Sequence, residues 1–240
     1  MLGKSAQGSL PLTTTLFRRR AERLLLRLSG NDSHFRLDQR RMADWAVSFV
    51  SFSEVQGDYL EFGVFQGAAF LNAWDYASAY GCEDMRFFAF DSFQGLPSPS
   101  PSSVDEGGEF SRGQFACDRD TLQANLRRGG VDLDRVKIVE GFFEETLTDS
   151  TRAELDLKAA AVIWIDSDLY ESAVSVLEFV TPLVVDGTVL VFDDWHCFHS
   201  RPDRGEQRAC AEWLERNPDI RLVHYRDFHW AGRSFIVNRD

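Results

Sequence analysis

Hydrophobic and polar positions follow two alternating regimes along this chain. Short, nearly continuous apolar runs recur at Tyr59–Val64, Arg86–Phe90, Val136–Val139, Ala160–Ile165 and Val189–Phe192. A strand buried on both faces of a parallel sheet requires such runs. Before and between them, apolar residues at three- and four-residue spacing predict helices over Leu37 to about Val50, Gln66 to about Ala79, Arg119–Arg127, Glu171–Val180 and Arg204–Glu215. The last stops at Asn217-Pro218, because proline biases the residue before it out of the helical region. Two further runs, Ile220–Tyr225 and Ser234–Val237, are spaced by Gly232 like antiparallel neighbours. Upstream, Phe17, Ala21, Leu24, Leu25 and Leu28 share a helical face, with Arg18, Arg19, Arg20, Arg23 and Arg27 elsewhere on the wheel. Five strands alternating with helices and closing in an antiparallel pair predict an α/β fold with a doubly wound, mostly parallel sheet. Residues 1–50 are expected to form an N-terminal helical extension and residues 51–240 a single α/β domain. One stretch escapes both regimes: Ser92 to about Phe115, with prolines at 97, 99 and 101 and glycines at 95, 107, 108 and 113. A loop of that length in a compact α/β domain is a functional lid or an insert.

Composition narrows the partners. At 240 residues and 44% apolar the chain can bury a sizeable core. Residues 1–41 carry nine Lys and Arg against three acids, so they hold +6 and the remainder −18 of the net −12. An acidic main domain argues against a nucleic-acid partner. The basic amphipathic helix is expected to pack on that domain or on a second subunit rather than on a membrane. Cys82, Cys117, Cys197 and Cys210 show neither zinc nor disulfide spacing. With no apolar run long enough for a membrane span, the chain reads as soluble and cytoplasmic.

The candidate chemistry stands at strand ends. The run to Ile165 ends in Asp166-Ser167-Asp168, and the run to Phe192 in Asp193-Asp194. Ligands of open α/β sheets bind outside the carboxyl ends of the strands, so four acids there suggest a divalent cation or acid–base work. Neighbouring carboxylates repel and need a cation or shared protons, although capping of the following helices is the plainer use of an aspartate after a strand. Oxygen ligands from Asp166, Asp193 and Asp194 suit Mg²⁺ or Ca²⁺. Asp168 points the same way as Asp166 along an extended strand end, which makes it a candidate base; His196 and His199 follow as alternatives. The first strand leads into Glu61-Phe62-Gly63-Val64-Phe65-Gln66-Gly67, a glycine turn opening a helix but lacking the third glycine of the dinucleotide fingerprint. Asp91 ends the second strand, where an acid meets ribose hydroxyls or caps a turn. After the third strand, Gly141 and Phe142 place an aromatic where it can stack on a base or fill the core.

Five segments in this order, GDYLEFGVFQGAAF, FFAFDSFQGLP, VEGFFEETL, WIDSDLYES and VLVFDDW, resemble the macrocin O-methyltransferase (TylF-like) family, which acts on sugars of macrolide and aminocoumarin natural products. The resemblance spans about residues 37–238. It implies a Rossmann-like class I methyltransferase that uses S-adenosylmethionine and Mg²⁺. By the family's pattern Glu61, Gly63 and Gly67 surround the methionine part of the cofactor, Asp91 and Ser92 its ribose, and Gly141 and Phe142 its adenine. Asp166 borders the cofactor and, with Asp193 and Asp194, holds the metal; Asp168 is the base, with His196 the other catalytic candidate. A metal that binds two neighbouring oxygens implies a vicinal diol on a sugar, so a glycosylated natural product of antibiotic type is the expected acceptor. A homo-oligomer, with a dimer favoured, is expected, and neither nucleic acid nor membrane as partner. The rival reading takes Asp166-Ser167-Asp168 as the D-x-D of a metal-dependent nucleotide-sugar glycosyltransferase, which leaves Asp193-Asp194 and the glycine turn without a role.

Overall fold

The computed structural model describes residues 32–97, 105 and 110–239. The basic helix expected at Phe17–Leu28 and much of the loop after Pro97 lie outside them.

Among the described residues seven strands make one sheet: β1 (Asp58–Phe62), β2 (Phe87–Asp91), β3 (Val136–Glu140), β4 (Ala160–Ile165), β5 (Val184–Phe192), β6 (Ile220–Phe228) and β7 (Gly232–Arg239). Their order is β3-β2-β1-β4-β5-β7-β6. Strands β1 to β5 pair in parallel, and β7 runs antiparallel to both β5 and β6. The principal helices are α1 (Asp32–Phe52), α2 (Ala68–Ala79), α3 (Arg119–Arg128), α4 (Phe143–Thr146), α5 (Asp149–Glu154), α6 (Tyr170–Val180) and α7 (Gly205–Arg216). This is the doubly wound sheet with an antiparallel end that the apolar runs predict.

The apolar runs are continuous because both faces of the sheet are covered. Alternation along the strands sends Tyr59, Val162 and Trp164 into one core with Met42 and Val47 of α1, Phe70 and Trp74 of α2, and Leu122 of α3. It sends Leu60, Phe62, Ile163 and Ile165 into a second core with Val176 and Leu177 of α6 and Trp213 of α7. Every residue of β4 is 0% exposed, which leaves no polar position to break its pattern. Helix α1, expected as part of an extension, lies against the sheet with Met42, Ala46, Val47 and Val50 buried.

Strand order reverses direction between β1 and β4. From β1 the sheet grows one way to β2 and β3, and from β4 the other way to β5. The crevice at such a switch point is the ligand site of doubly wound folds.

Candidate active site

The two strand ends at the switch point touch through their backbones. Gly63, at φ +84°, follows β1; a Cβ built there would lie 1.8 Å from the carbonyl oxygen of Asp166, the residue after β4. Only glycine permits that approach. Gly67 caps the start of α2 at φ +85°, and its missing Cβ makes room for Leu122 of α3, which a methyl group would meet at 2.8 Å. Gly67 therefore serves packing, and among the described residues neither it nor Gly141 lines the cavity.

Asp91 organises the crevice on the β2 side. Its carboxylate accepts the N–H of Phe65 at 2.9 Å and that of Phe93 at 2.7 Å. Both phenylalanines have left-handed backbones, φ 48° and 55°. For a residue with a Cβ that conformation costs about 1–2 kcal/mol, and a hydrogen bond to a charged acceptor, worth about 1.5–3 kcal/mol, offsets it. Burial raises the Asp91 pKa, while these backbone N–H groups pull it back. Asp91 thus does cap turns, and it also lines the cavity beside Ser92. Next to it on β1, Glu61 is 2% exposed and accepts the Tyr59 hydroxyl; burial, with the charge of Asp193 adding, raises its pKa to about 8.

The acids gather as the strand ends require. Oxygens of Asp166, Asp168 and Asp194 all lie within 4.8 Å of one another. The Asp168 backbone, at φ 57°, directs its N–H to Asp194 Oδ2 at 3.1 Å. Asp194 also accepts Cys197 Sγ–H at 3.4 Å, and its N–H donates to Glu206 Oε2 at 3.0 Å. Burial first, then the neighbouring carboxylates, pushes Asp166 and Asp168 well above the usual range and Asp194 to about 7. Asp193 turns differently. Trp164 Nε1 donates to its Oδ1 at 3.2 Å, and His229 Nε2 stands 3.5 Å from its Oδ2. Between Asp166 and Asp168 in the chain, the buried Ser167 hydroxyl has no hydrogen-bond partner among the described residues. An all-oxygen donor set, mutual repulsion relieved by positive charge and an unsatisfied hydroxyl fit a hard divalent cation.

All four aspartates open onto one cavity of about 1190 Å³. Glu61, Gly63, Asp91, Ser92 and Phe142 line it on the β1–β3 side, and Phe35, Phe110, Phe115 and Trp230 supply an aromatic wall. Its volume lies above the roughly 300–1,000 Å³ typical of small-molecule sites. His196 is not on this wall among the described residues: its Nδ1 meets Ser200 Oγ at 2.9 Å, and its Nε2 lies 4.0 Å from Asp227.

Two residues beyond the sequence candidates, Glu206 and His229, stand against the site's aspartates, and a third, Asp105, holds the helices behind them. Glu206, in the first turn of α7, is 1% exposed, and its Oε1 has no hydrogen-bond partner among the described residues. His229 lies at the tip of the β6–β7 hairpin, next to Trp230. Asp105 reaches in from the long loop; its Oδ2 accepts the Tyr170 N–H at 2.6 Å and its Oδ1 the Gly205 N–H at 3.2 Å, capping α6 and α7 together. The only sequence signal for the histidine is its place inside Phe228-His229-Trp230, an aromatic cluster at a hairpin tip.

Comparison with known proteins finds that the family model described as macrocin-O-methyltransferase (TylF) matches residues 31–207. The chain is 30% identical over 179 residues to the 8-demethyl-8-(2,3-dimethoxy-alpha-L-rhamnosyl)-tetracenomycin-C 4'-O-methyltransferase of Streptomyces olivaceus, covering 70% of this chain and 67% of that protein. It is 31% identical over 147 residues to the mycinamicin III 3''-O-methyltransferase of Micromonospora griseorubida, covering 59% of this chain and 56% of that one. The matches therefore span between just over half and two thirds of these relatives' own lengths. Among solved structures, the O-methyltransferase NovP superposes with a TM-score of 0.68 at 21% identity, over 83% of this chain and 79% of that chain. The calicheamicin methyltransferase CalS11 superposes with a TM-score of 0.65 at 24% identity, over 98% and 99%. At these identities the two structures speak for the fold.

Proposed function

Because the chain belongs to the macrocin O-methyltransferase family, we propose that it transfers a methyl group from S-adenosylmethionine to a hydroxyl of a sugar carried by a natural product, with Mg²⁺ at the acid cluster. The observation that carries this reading is the single cavity onto which a glycine turn, Asp91 and four aspartates all open. A glycosyltransferase reading of Asp166-Ser167-Asp168 finds no support in the relatives named above.

On this reading Gly63, which lines the cavity, borders the methionine part of the cofactor, and Asp91, already holding the Phe65 and Phe93 turns, has acceptor capacity left for ribose hydroxyls. Phe142 flanks the adenine. Asp166, Asp193 and Asp194 hold the cation, and Asp168 takes the proton from the acceptor hydroxyl. A cation held there would lower the pKa of the acceptor hydroxyl. The aromatic wall excludes water, and placing the two reactants in one cavity supplies the proximity that methyl transfer needs.

The roles separate by substitution. Asp166→Asn and Asp193→Asn are expected to abolish Mg²⁺ binding by calorimetry and methyl transfer from labelled S-adenosylmethionine, while affinity for the cofactor stays within about tenfold, or 1.4 kcal/mol. Asp168→Asn is expected to keep Mg²⁺ binding and slow the transfer. Loss of Mg²⁺ binding in Asp168→Asn with retention in Asp193→Asn would assign the cation to Asp166, Asp168 and Asp194, the closest-set oxygens, and overturn this division. Offering a panel of glycosylated natural products with and without chelator tests the reading as a whole; no Mg²⁺-dependent methylation of any sugar would sink it.

A further inference from the structure

We propose that His229 is a positioning residue for Asp193, acting from the tip of the β6–β7 hairpin as a fixed Nε2–H donor. Its Nδ1 accepts two backbone N–H groups, those of Ala231 at 3.1 Å and Gly232 at 3.2 Å. A ring nitrogen that accepts two donors carries no proton, so the neutral imidazole holds its proton on Nε2. That nitrogen has no hydrogen-bond partner among the described residues, and it stands 3.5 Å from Asp193 Oδ2, with the two side chains 2% and 4% exposed. Trp164 Nε1 donates to the other oxygen of the same carboxylate. Asp193 is therefore flanked by two ring N–H groups, one from β4 and one from the hairpin tip.

The ring is clamped. Phe35 of α1 and Phe228 of β6 each lie against it, with centroids 4.3 Å away. The backbone of His229 sits at φ 36°, a strained value for a residue with a Cβ, and strain persists where surroundings over-determine it. A nitrogen that carries a proton has no lone pair for a metal and does not accept the acceptor's proton. His229 therefore acts on the reaction through Asp193: it fixes the orientation of that carboxylate, as partners behind a metal ligand do. Its effect on catalysis rests on the proposed function, whereas its tautomer does not.

Long-range proton–nitrogen correlation spectra of metal-free protein labelled with ¹⁵N-histidine read the tautomer directly, with the His229 signals assigned by their loss in His229→Gln. A bare Nδ1 and a protonated Nε2 are expected; a proton on Nδ1 overturns the proposal. His229→Phe keeps an aromatic ring between Phe35 and Phe228 and removes the donor, while His229→Gln keeps an N–H. In calorimetric titrations Mg²⁺ affinity is expected to fall about 10- to 100-fold in the phenylalanine variant, with unchanged S-adenosylhomocysteine binding and substantial recovery in the glutamine variant. A phenylalanine variant that binds S-adenosylhomocysteine and has wild-type Mg²⁺ affinity overturns the proposal. If that variant does not fold, the tautomer of the wild-type protein decides. Absence of Mg²⁺ binding or methyl transfer in the wild type would count against the proposed function, and the tautomer result would still stand.

Discussion

Glu61 shows how a single buried side chain ties stability to protonation. Its pKa is about 8 in the folded chain against 4.5 for an unperturbed glutamate. Between those values the folded chain keeps a proton that the unfolded chain has released. Its stabilising contribution is thus complete below about pH 4.5 and is lost as pH rises through about 8. Asp194, raised to about 7, contributes with the same sign. The melting temperature of metal-free protein should fall between about pH 5.5 and about pH 8.5, and Glu61→Gln should flatten part of that fall. For a fully buried group the effect is on the order of a few kcal/mol; an unchanged slope in the glutamine variant would show that another group is responsible. At this scale the sequence reveals Gly63, Asp91 and the four aspartates, because each follows directly on an apolar run. Nothing local marks Glu206, and His229 is marked only by its aromatic neighbours Phe228 and Trp230. One is an acid in the first turn of a helix, the other a histidine in a turn, and only the packing of α7 and of the β6–β7 hairpin brings them to Asp194 and Asp193.

Among elements, the starts of α6 and α7 depend on one residue from elsewhere in the chain. Neither helix has a side-chain cap at its own N-cap residue, Leu169 or Arg204. Asp105 accepts a backbone N–H from each. Replacing a capping aspartate by alanine costs about 0.5–2 kcal/mol per helix. Asp105→Ala should therefore lower the free energy of unfolding by up to about twice that amount, read as a lower denaturation midpoint at unchanged slope, while Asp105→Asn retains most of the stability; equal midpoints for the alanine variant and the wild type would contradict the double cap. The element pattern is legible for β1 to β5 because both faces of those strands are covered. It fades at β6, where only Ile220 and Phe228 are buried, and β6 and β7 run longer than their apolar runs suggest. It misses α4 and α5, whose four and six residues are too few to display helical periodicity. The start of β5 is masked by Asp186-Gly187, polar residues next to a shift of register between β4 and β5.

For the molecule as a whole, the cavity joins segments far apart in sequence: α1, the loop after β2, the four acids and the hairpin tip. No helix among the described residues is long and apolar enough to cross a membrane. Trp230 is 69% exposed and Phe115 48%, yet both line the cavity. Exposed aromatics at a cavity mouth suit the apolar face of a ligand, and tryptophan is a frequent energetic anchor. Trp230→Ala should raise the acceptor KM about tenfold, or 1.4 kcal/mol, without altering S-adenosylhomocysteine affinity; a cofactor defect instead would place the indole on the wrong ligand.

The contact between Gly63 and the Asp166 carbonyl divides this cavity by how freely it can vary. No side chain can be introduced at Gly63 without parting β1 from β4, so the seam between these two strand ends admits almost no change. Phe35, Phe115 and Trp230 stand on a helix, a loop and a hairpin outside that seam. On the proposed function, a descendant or a designed library would exchange the molecules it accepts by drifting along those three segments and inherit the reaction intact.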